Sequence, residues 1–275
     1  MKNIGNIVKR HGVRPVISLL YVLPVMLLLA GIVLVAVSMF KAPDTERTYY
    51  YIGMGILLVL VIILLAARSK AIPKHYFELY EKGLKIIHQK EKIADEEYRF
   101  DEITEIWHFS TTGSRSANYL AFLPGGGSYK IISPKFSDYK GLIKDLVDLY
   151  LKELEPVKSM ALTKGERLGF PMLPTGGESV VLSEKAIVPY LQKVKKEHLS
   201  VDRFSVFDGK QTYALADIDF AKIDTSDGNI VVHSIAGNPL YTKNYFAVCN
   251  GDLFVALVNE VAVHKAENPS TVTSL

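Results

Sequence analysis

Cysteine is almost missing from this chain. Cys249 stands alone among 275 residues, which excludes an intrachain disulfide and any zinc site built from several cysteines, and fits a reducing compartment. No Asn-x-Ser/Thr acceptor occurs, since Asn268 is followed by Pro269, so nothing points to glycosylation. The seven histidines, among them His75, His88, His108, His198, His233 and His264, are scattered. None forms the His-x3-His pair that puts two metal ligands on one helix face. Ser183, Ser200 and Ser205 lack the Gly-x-Ser-x-Gly surroundings of a serine nucleophile. A basic excess is also missing where it would matter. The first 68 residues hold seven Lys or Arg against two Asp or Glu, but the rest holds 25 against 27. That balance argues against broad nucleic-acid binding, which needs a positive footprint to displace phosphate counterions.

Charge is absent altogether from two long apolar runs, residues 15–40 and 48–67. Each is long enough to cross a bilayer, for which about 20 apolar residues suffice at about 1.5 Å rise apiece, and an ionised side chain at mid-membrane would cost a few kcal/mol or more. They predict a transmembrane helical hairpin over 15–67. The segment 1–14 carries Lys2, Lys9, Arg10 and Arg14 without an acid, like the leader of a secretory signal. The apolar run after it is too long for a signal h-region of about 7–15 residues, so an uncleaved anchor is expected. Pro24 predicts a kink in its first helix. Lys41, Asp44, Glu46 and Arg47 make a neutral loop, whereas Arg68, Lys70 and Lys74 follow the second run. Basic outer flanks around a neutral loop predict both termini on the cytoplasmic side of the membrane. Arg68, Lys70 and Lys74 would lie at the lipid surface, where each cation contributes about 1 kcal/mol with anionic lipid. They serve equally well as a topology signal.

Beyond the hairpin the pattern turns to short alternating strands. Residues 76–80 and 84–88 flank the turn Glu81-Lys82-Gly83, and 98–100, 103–109, 119–123 and 129–132 continue the series, broken at Gly113-Ser114 and Gly125-Gly126-Gly127. A helix follows, with Ser137 as expected N-cap and Pro156 just past its expected end. Tyr139, Leu142, Ile143, Leu146, Val147 and Tyr150 form one stripe on it.

Tyr80-Glu81-Lys82-Gly83-Leu84, then Phe100-Asp101-Glu102-Ile103-Thr104-Glu105-Ile106, then the closing helix together resemble the pleckstrin-homology-like (PH-like) domains of bacteria. Two membrane helices followed by such a domain also look like a family of bacterial membrane proteins without an assigned activity. The resemblance implies an α+β fold over 71–156, a bent antiparallel sheet or partial barrel closed by a C-terminal helix.

Residues 157–198 read as a linker with a partial helix, in which 180–182 is a short strand and Pro189 marks a kink or a restart. Residues 199–264 repeat the earlier pattern. Strands at 204–207, 212–215, 218–223, 230–235 and 245–248 are separated by Asp208-Gly209 and Asp227-Gly228, and Asn250 is the expected cap of a last helix. Ala216-Asp217-Ile218-Asp219 with Ile223 echoes Asp101-Glu102-Ile103-Thr104 with Ile106. A second, shorter PH-like module is expected, followed by a flexible tail over 265–275.

Remaining constellations favour structure over chemistry. Pro124-Gly125-Gly126-Gly127-Ser128 joins two strands, so it reads as a hairpin turn, not as a phosphate loop leading into a helix. Neither Asp95, Glu96 and Glu97 nor Asp217, Asp219, Asp224 and Asp227 has calcium-loop spacing. Trp107 is expected in the core. No catalytic residue, metal site or cofactor is implied. The connections Glu81-Lys82-Gly83 and Asp208-Gly209-Lys210 each offer one lysine beside one acid, too little positive charge for a phosphoinositide headgroup. The sequence therefore points to a non-catalytic, membrane-anchored binding or scaffolding protein, its partners the bilayer and another protein. An inhibitor or immunity-like protein for a membrane-active partner is one alternative, and an enzyme with a site assembled from distant residues is another.

Overall fold

The computed structural model describes residues 2–12, 15–71, 75–88, 93–109, 119–134, 136, 138–174, 184–224 and 227–267. Two helices, α1 (Pro15–Lys41) and α2 (Arg47–Ala71), pack on each other as a hairpin. Both are long and apolar enough to cross a membrane, and their candidate spans are almost wholly unburied. Leu27, Leu34 and Ile56 each expose more than half their surface, so neither helix is the core helix of a soluble domain. Arg68 and Lys70 lie at the end of α2 with side chains outside the described set, and Lys74 lies outside the described residues.

The rest is α+β, with antiparallel sheets that do not close into a barrel among the described residues. Strand β1 (Ile7–His11) precedes the hairpin and pairs with β2 (His75–Tyr80) after it, followed by β3 (Gly83–His88) and β4 (Glu96–Arg99) in one four-stranded sheet. The stretch 1–14, expected as a basic flank, thus supplies an edge strand. Its lack of alternation hid it: Ile7 and Val8 are exposed, and only His11 of the five strand residues is buried. Ion pairs fix it in place. Arg10 Nε meets the buried Glu78 at 2.7 Å, and Lys9 Nζ meets Asp145 at 2.6 Å. Gly83 lets β4 approach β3 closely, since a Cβ there would stand 2.3 Å from the Tyr98 carbonyl oxygen.

A 3₁₀ turn at Phe100–Glu102 leads to a three-stranded sheet of β5 (Ile103–Phe109), β6 (Tyr119–Pro124) and β7 (Lys130–Ile132). The glycine turn does join β6 to β7, with Gly126 at φ 73. Helix α3 (Tyr139–Thr163) buries the expected stripe from Leu142 to Tyr150 in the core. It does not stop before Pro156. Pro156 is exposed, and so is Lys152, whose carbonyl loses its helical donor and can turn to water. Nor does the helix begin on Ser137, which lies outside the described residues; Asp138, at φ 50, occupies the cap position.

The segment expected as linker contains β8 (Leu168–Met172) and the continuous helix α4 (Glu184–Lys193), with Pro189 inside it; the strand expected at 180–182 lies outside the described residues. Strand β8 pairs with β9 (Glu197–Val201), followed by β10 (Ser205–Phe207) and β11 (Thr212–Ala214), making a second four-stranded sheet. Another 3₁₀ turn at Leu215–Asp217 leads to a three-stranded sheet of β12 (Ile218–Asp224), β13 (Asn229–Ser234) and β14 (Pro239–Asn244), and α5 (Gly251–Glu267) ends the described chain. The last strand is therefore 239–244; residues 245–247, expected as strand, form a 3₁₀ turn.

The two halves have one element order: four strands, a 3₁₀ turn, three strands, a helix. Strands β5 and β12 are both seven residues long, both start at a buried isoleucine, and both carry a register shift after it. The hairpin sits between the first and second strands of the first half. Helix α4 sits between the first and second strands of the second. One hydrophobic core runs through both halves, from Phe77 to Val258, and α3 packs against α5.

Candidate functional site at the seam between the halves

The groups with chemical potential gather where the halves meet. Residues 247–250 are the hinge of that seam. Leu173 N–H donates to the Ala247 carbonyl at 2.8 Å and Cys249 N–H to that of Pro171 at 2.9 Å, while Asn250 N–H donates to the Ile106 carbonyl at 2.8 Å. Asn250 holds the N-cap position expected of it, but its side chain does not cap α5. Its Oδ1 accepts from Ile106 N–H at 2.9 Å and its Nδ2 donates to the Thr104 carbonyl at 3.2 Å. The φ of 52° that this geometry requires is one that asparagine tolerates better than most residues. The equivalent edge position in the second half, Ala221, is closed in the same way by Asn259 of α5, at 2.7 and 2.9 Å.

On the outer face of β5–β7, a second apolar cluster joins Trp107, Ala121 and Tyr129 to Ile187 and Leu191 of α4 and to Cys249. Trp107 is fully buried, as expected, and on the sheet face opposite Ile106. Glu105 lies at its rim. Trp107 Nε1–H donates to Glu105 at 2.7 Å, the Tyr129 hydroxyl donates to it also, and Lys196 Nζ pairs with it at 2.7 Å. Burial pushes the Glu105 carboxyl up, but Lys196 and the two hydrogen bonds outweigh it and hold it below its ordinary value. Burial, seconded by Glu105, raises the Cys249 thiol well above the usual range. That thiol is no nucleophile.

A shallow cleft of about 270 Å³ opens between α3 and the start of α5, lined by His108, Lys140, Lys144, Asp148, Tyr245 and Asp252. The Tyr245 hydroxyl donates to Asp252 at 2.7 Å. His108 Nε2 lies 3.2 Å from the same carboxylate, an ion-pair distance without hydrogen-bond geometry, and Nδ1 has no hydrogen-bond partner among the described residues. Burial pushes Asp252 up, but His108 and Tyr245 outweigh it and keep its pKa low. Both imidazole nitrogens are covered, which bars them from proton exchange with a ligand in the cleft unless the wall moves.

A longer slot of about 350 Å³ lies between the edges of β5 and β8, walled by α3 and the first turn of α5. No sequence signal pointed to the cleft or the slot, because each is assembled from both halves. Comparison with family models, with curated proteins and with solved structures finds no match for this chain.

Proposed function

We propose that this chain is a membrane-anchored, non-catalytic binding or scaffolding protein that presents two fused PH-like units at the cytoplasmic face of the inner membrane. The observation that carries the reading is the pairing of β1 with β2 across the hairpin. A strand before the two apolar helices is hydrogen-bonded to one after them, so both flanks lie on one side of any bilayer the helices cross. The hairpin is then a membrane-inserted connection within the first unit, and the platform is held close to the lipid surface. The 4+3 strand order followed by a helix, in each half, supports the PH-like reading. Basic flanks around a neutral loop favour the cytoplasmic side, and Arg68, Lys70 and Lys74 supply modest, salt-sensitive attraction to anionic lipid.

The enzyme alternative draws on the cleft at His108, Asp252 and Tyr245. Its shallowness and the covered imidazole nitrogens weigh against it. The test uses single cysteines at two exposed positions, E46C in the hairpin loop and D219C in the second half, with buried Cys249 silent. A membrane-impermeant maleimide should label E46C in spheroplasts and D219C only after permeabilisation. The reverse pattern would overturn the cytoplasmic placement, and labelling of both without permeabilisation would overturn the hairpin.

A further inference from the structure

We propose that the slot between the β5 and β8 edges takes an extended peptide segment of a partner protein as one added strand, an assignment that rests on the binding-protein reading above and names its ligand class. The chain itself provides the template. Residues 247–249 hydrogen-bond the β8 side at Pro171 and Leu173, and Asn250 immediately after them hydrogen-bonds Ile106 of β5. A single pass of the chain, with Val248 in an antiparallel bridge to Met172, thus joins both edges, which sets the gap there near the width of one strand, about 4.8 Å from each neighbour. At Asn250 the positive φ turns the chain into α5 and it leaves the gap. The first half of β8, Leu168 to Phe170, runs on without it.

Alternation along β8 decides what the slot offers. Pro171 and Leu173 direct their main-chain groups away from β9, toward residues 247–249, so Gly169, two residues earlier, directs its N–H and carbonyl the same way. Gly169 is exposed, and among the described residues no atom lies within 4 Å of the place a Cβ would take. An unpaired edge of this kind is a site for strand addition. On the β5 side the Thr104 carbonyl is already taken by Asn250, and on β8 the Pro171 carbonyl is taken by Cys249, so the main-chain anchor is the N–H and carbonyl pair of Gly169.

The walls choose the sequence. Val157, 61% exposed on α3, and half-buried Leu168 provide apolar surface for one inward side chain. Of the charged rim, Arg167 is bound by Asp202 and Asp101 by Arg99. Lys158 has no ion pair among the described residues and faces an incoming carboxylate. The ligand is therefore an extended peptide with an apolar residue flanked by Asp or Glu.

The probe is a displayed library of random dodecapeptides, panned against the full chain in lipid nanodiscs. Enriched peptides should carry the acidic-apolar pattern, protect the Gly169 amide from hydrogen exchange, and lose about tenfold or more in affinity on V157D. K158E, also on the α3 surface, should weaken the same peptides and favour basic ones. The inference is overturned if no peptide is enriched, if the enriched peptides ignore both variants, or if the Gly169 amide is already protected in the free protein by its own chain or a second copy. None of these results bears on the cysteine labelling, so the anchor reading stands or falls separately.

Discussion

Replacing Asn250 by alanine should weaken the joint between the halves. The substitution removes the acceptor for Ile106 N–H and the donor to the Thr104 carbonyl. The Ile106 amide is on a partly buried edge with no other strand beside it among the described residues, and orphaning such a group costs about 1–3 kcal/mol. Alanine also holds φ 52° less readily than asparagine, adding about 1 kcal/mol. The sum, about 2–4 kcal/mol, corresponds to a fall in Tm of roughly 5–15 °C for a folded part of this size. Differential scanning fluorimetry of the detergent-solubilised protein reads it, because buried Trp107 lies in the neighbouring cluster. N250D keeps the acceptor but loses the amide donor, and should cost less. A fall of under about 2 °C for N250A would refute the argument that this amide closes the β5 edge.

N259A removes both hydrogen bonds to Ala221 and should cost about 1–3 kcal/mol, read in the same assay. Glu96 accepts from Tyr98 and His88 and pairs with Lys130 at 2.5 Å; although burial opposes it, these partners lower its pKa to about 2. A depressed carboxylate contributes stability above its unfolded value near 4.5 that is lost as pH falls toward about 2. The wild type should therefore exceed E96Q by up to roughly 3 kcal/mol at pH 7, and denaturant titrations should show the gap closing between those two values. G83A places a Cβ against the backbone of Tyr98 and Arg99, whereas G126A meets open space at φ 73; chemical unfolding should show the first costing more than the second, which is limited to about 1–2 kcal/mol. Cys249 should stay unlabelled by maleimide at pH 8 in the folded protein and react on denaturation, since it is buried and its thiol is raised.

The parts legible in the sequence were those carried by local periodicity. The two apolar runs gave α1 and α2, the stripe from Leu142 to Tyr150 gave the buried face of α3, and the glycine turns at Gly83, Gly126, Gly209 and Gly228 marked hairpins that exist. The echo between residues 101–106 and 216–223 marked equivalent positions, each running from a 3₁₀ turn into the strand that follows it. What stayed hidden depends on partners distant in the chain. Strand β1 has almost no buried face of its own and is held by Glu78 and Asp145. Strand β8, with Gly169 and Pro171 in five residues, has poor intrinsic strand propensity and owes its place to β9 and to residues 247–249. Asn250 was legible as a helix start, but its use as a cap for another strand's edge was not, because that role is set by the packing of one half on the other.

One cross-link tests the pairing of β1 with β2 across the hairpin. Arg10 and Glu78 stand directly opposite each other in that pair, so R10C and E78C bring two thiols together across the sheet while Cys249 remains buried. A protease site placed in the exposed loop at residues 43–46 then separates the strands unless they are bridged. Mild oxidation of native membranes followed by cleavage should leave the two fragments joined until a reductant is added. Fragments that separate without reduction, under conditions in which both thiols are shown to be oxidisable, would contradict the account.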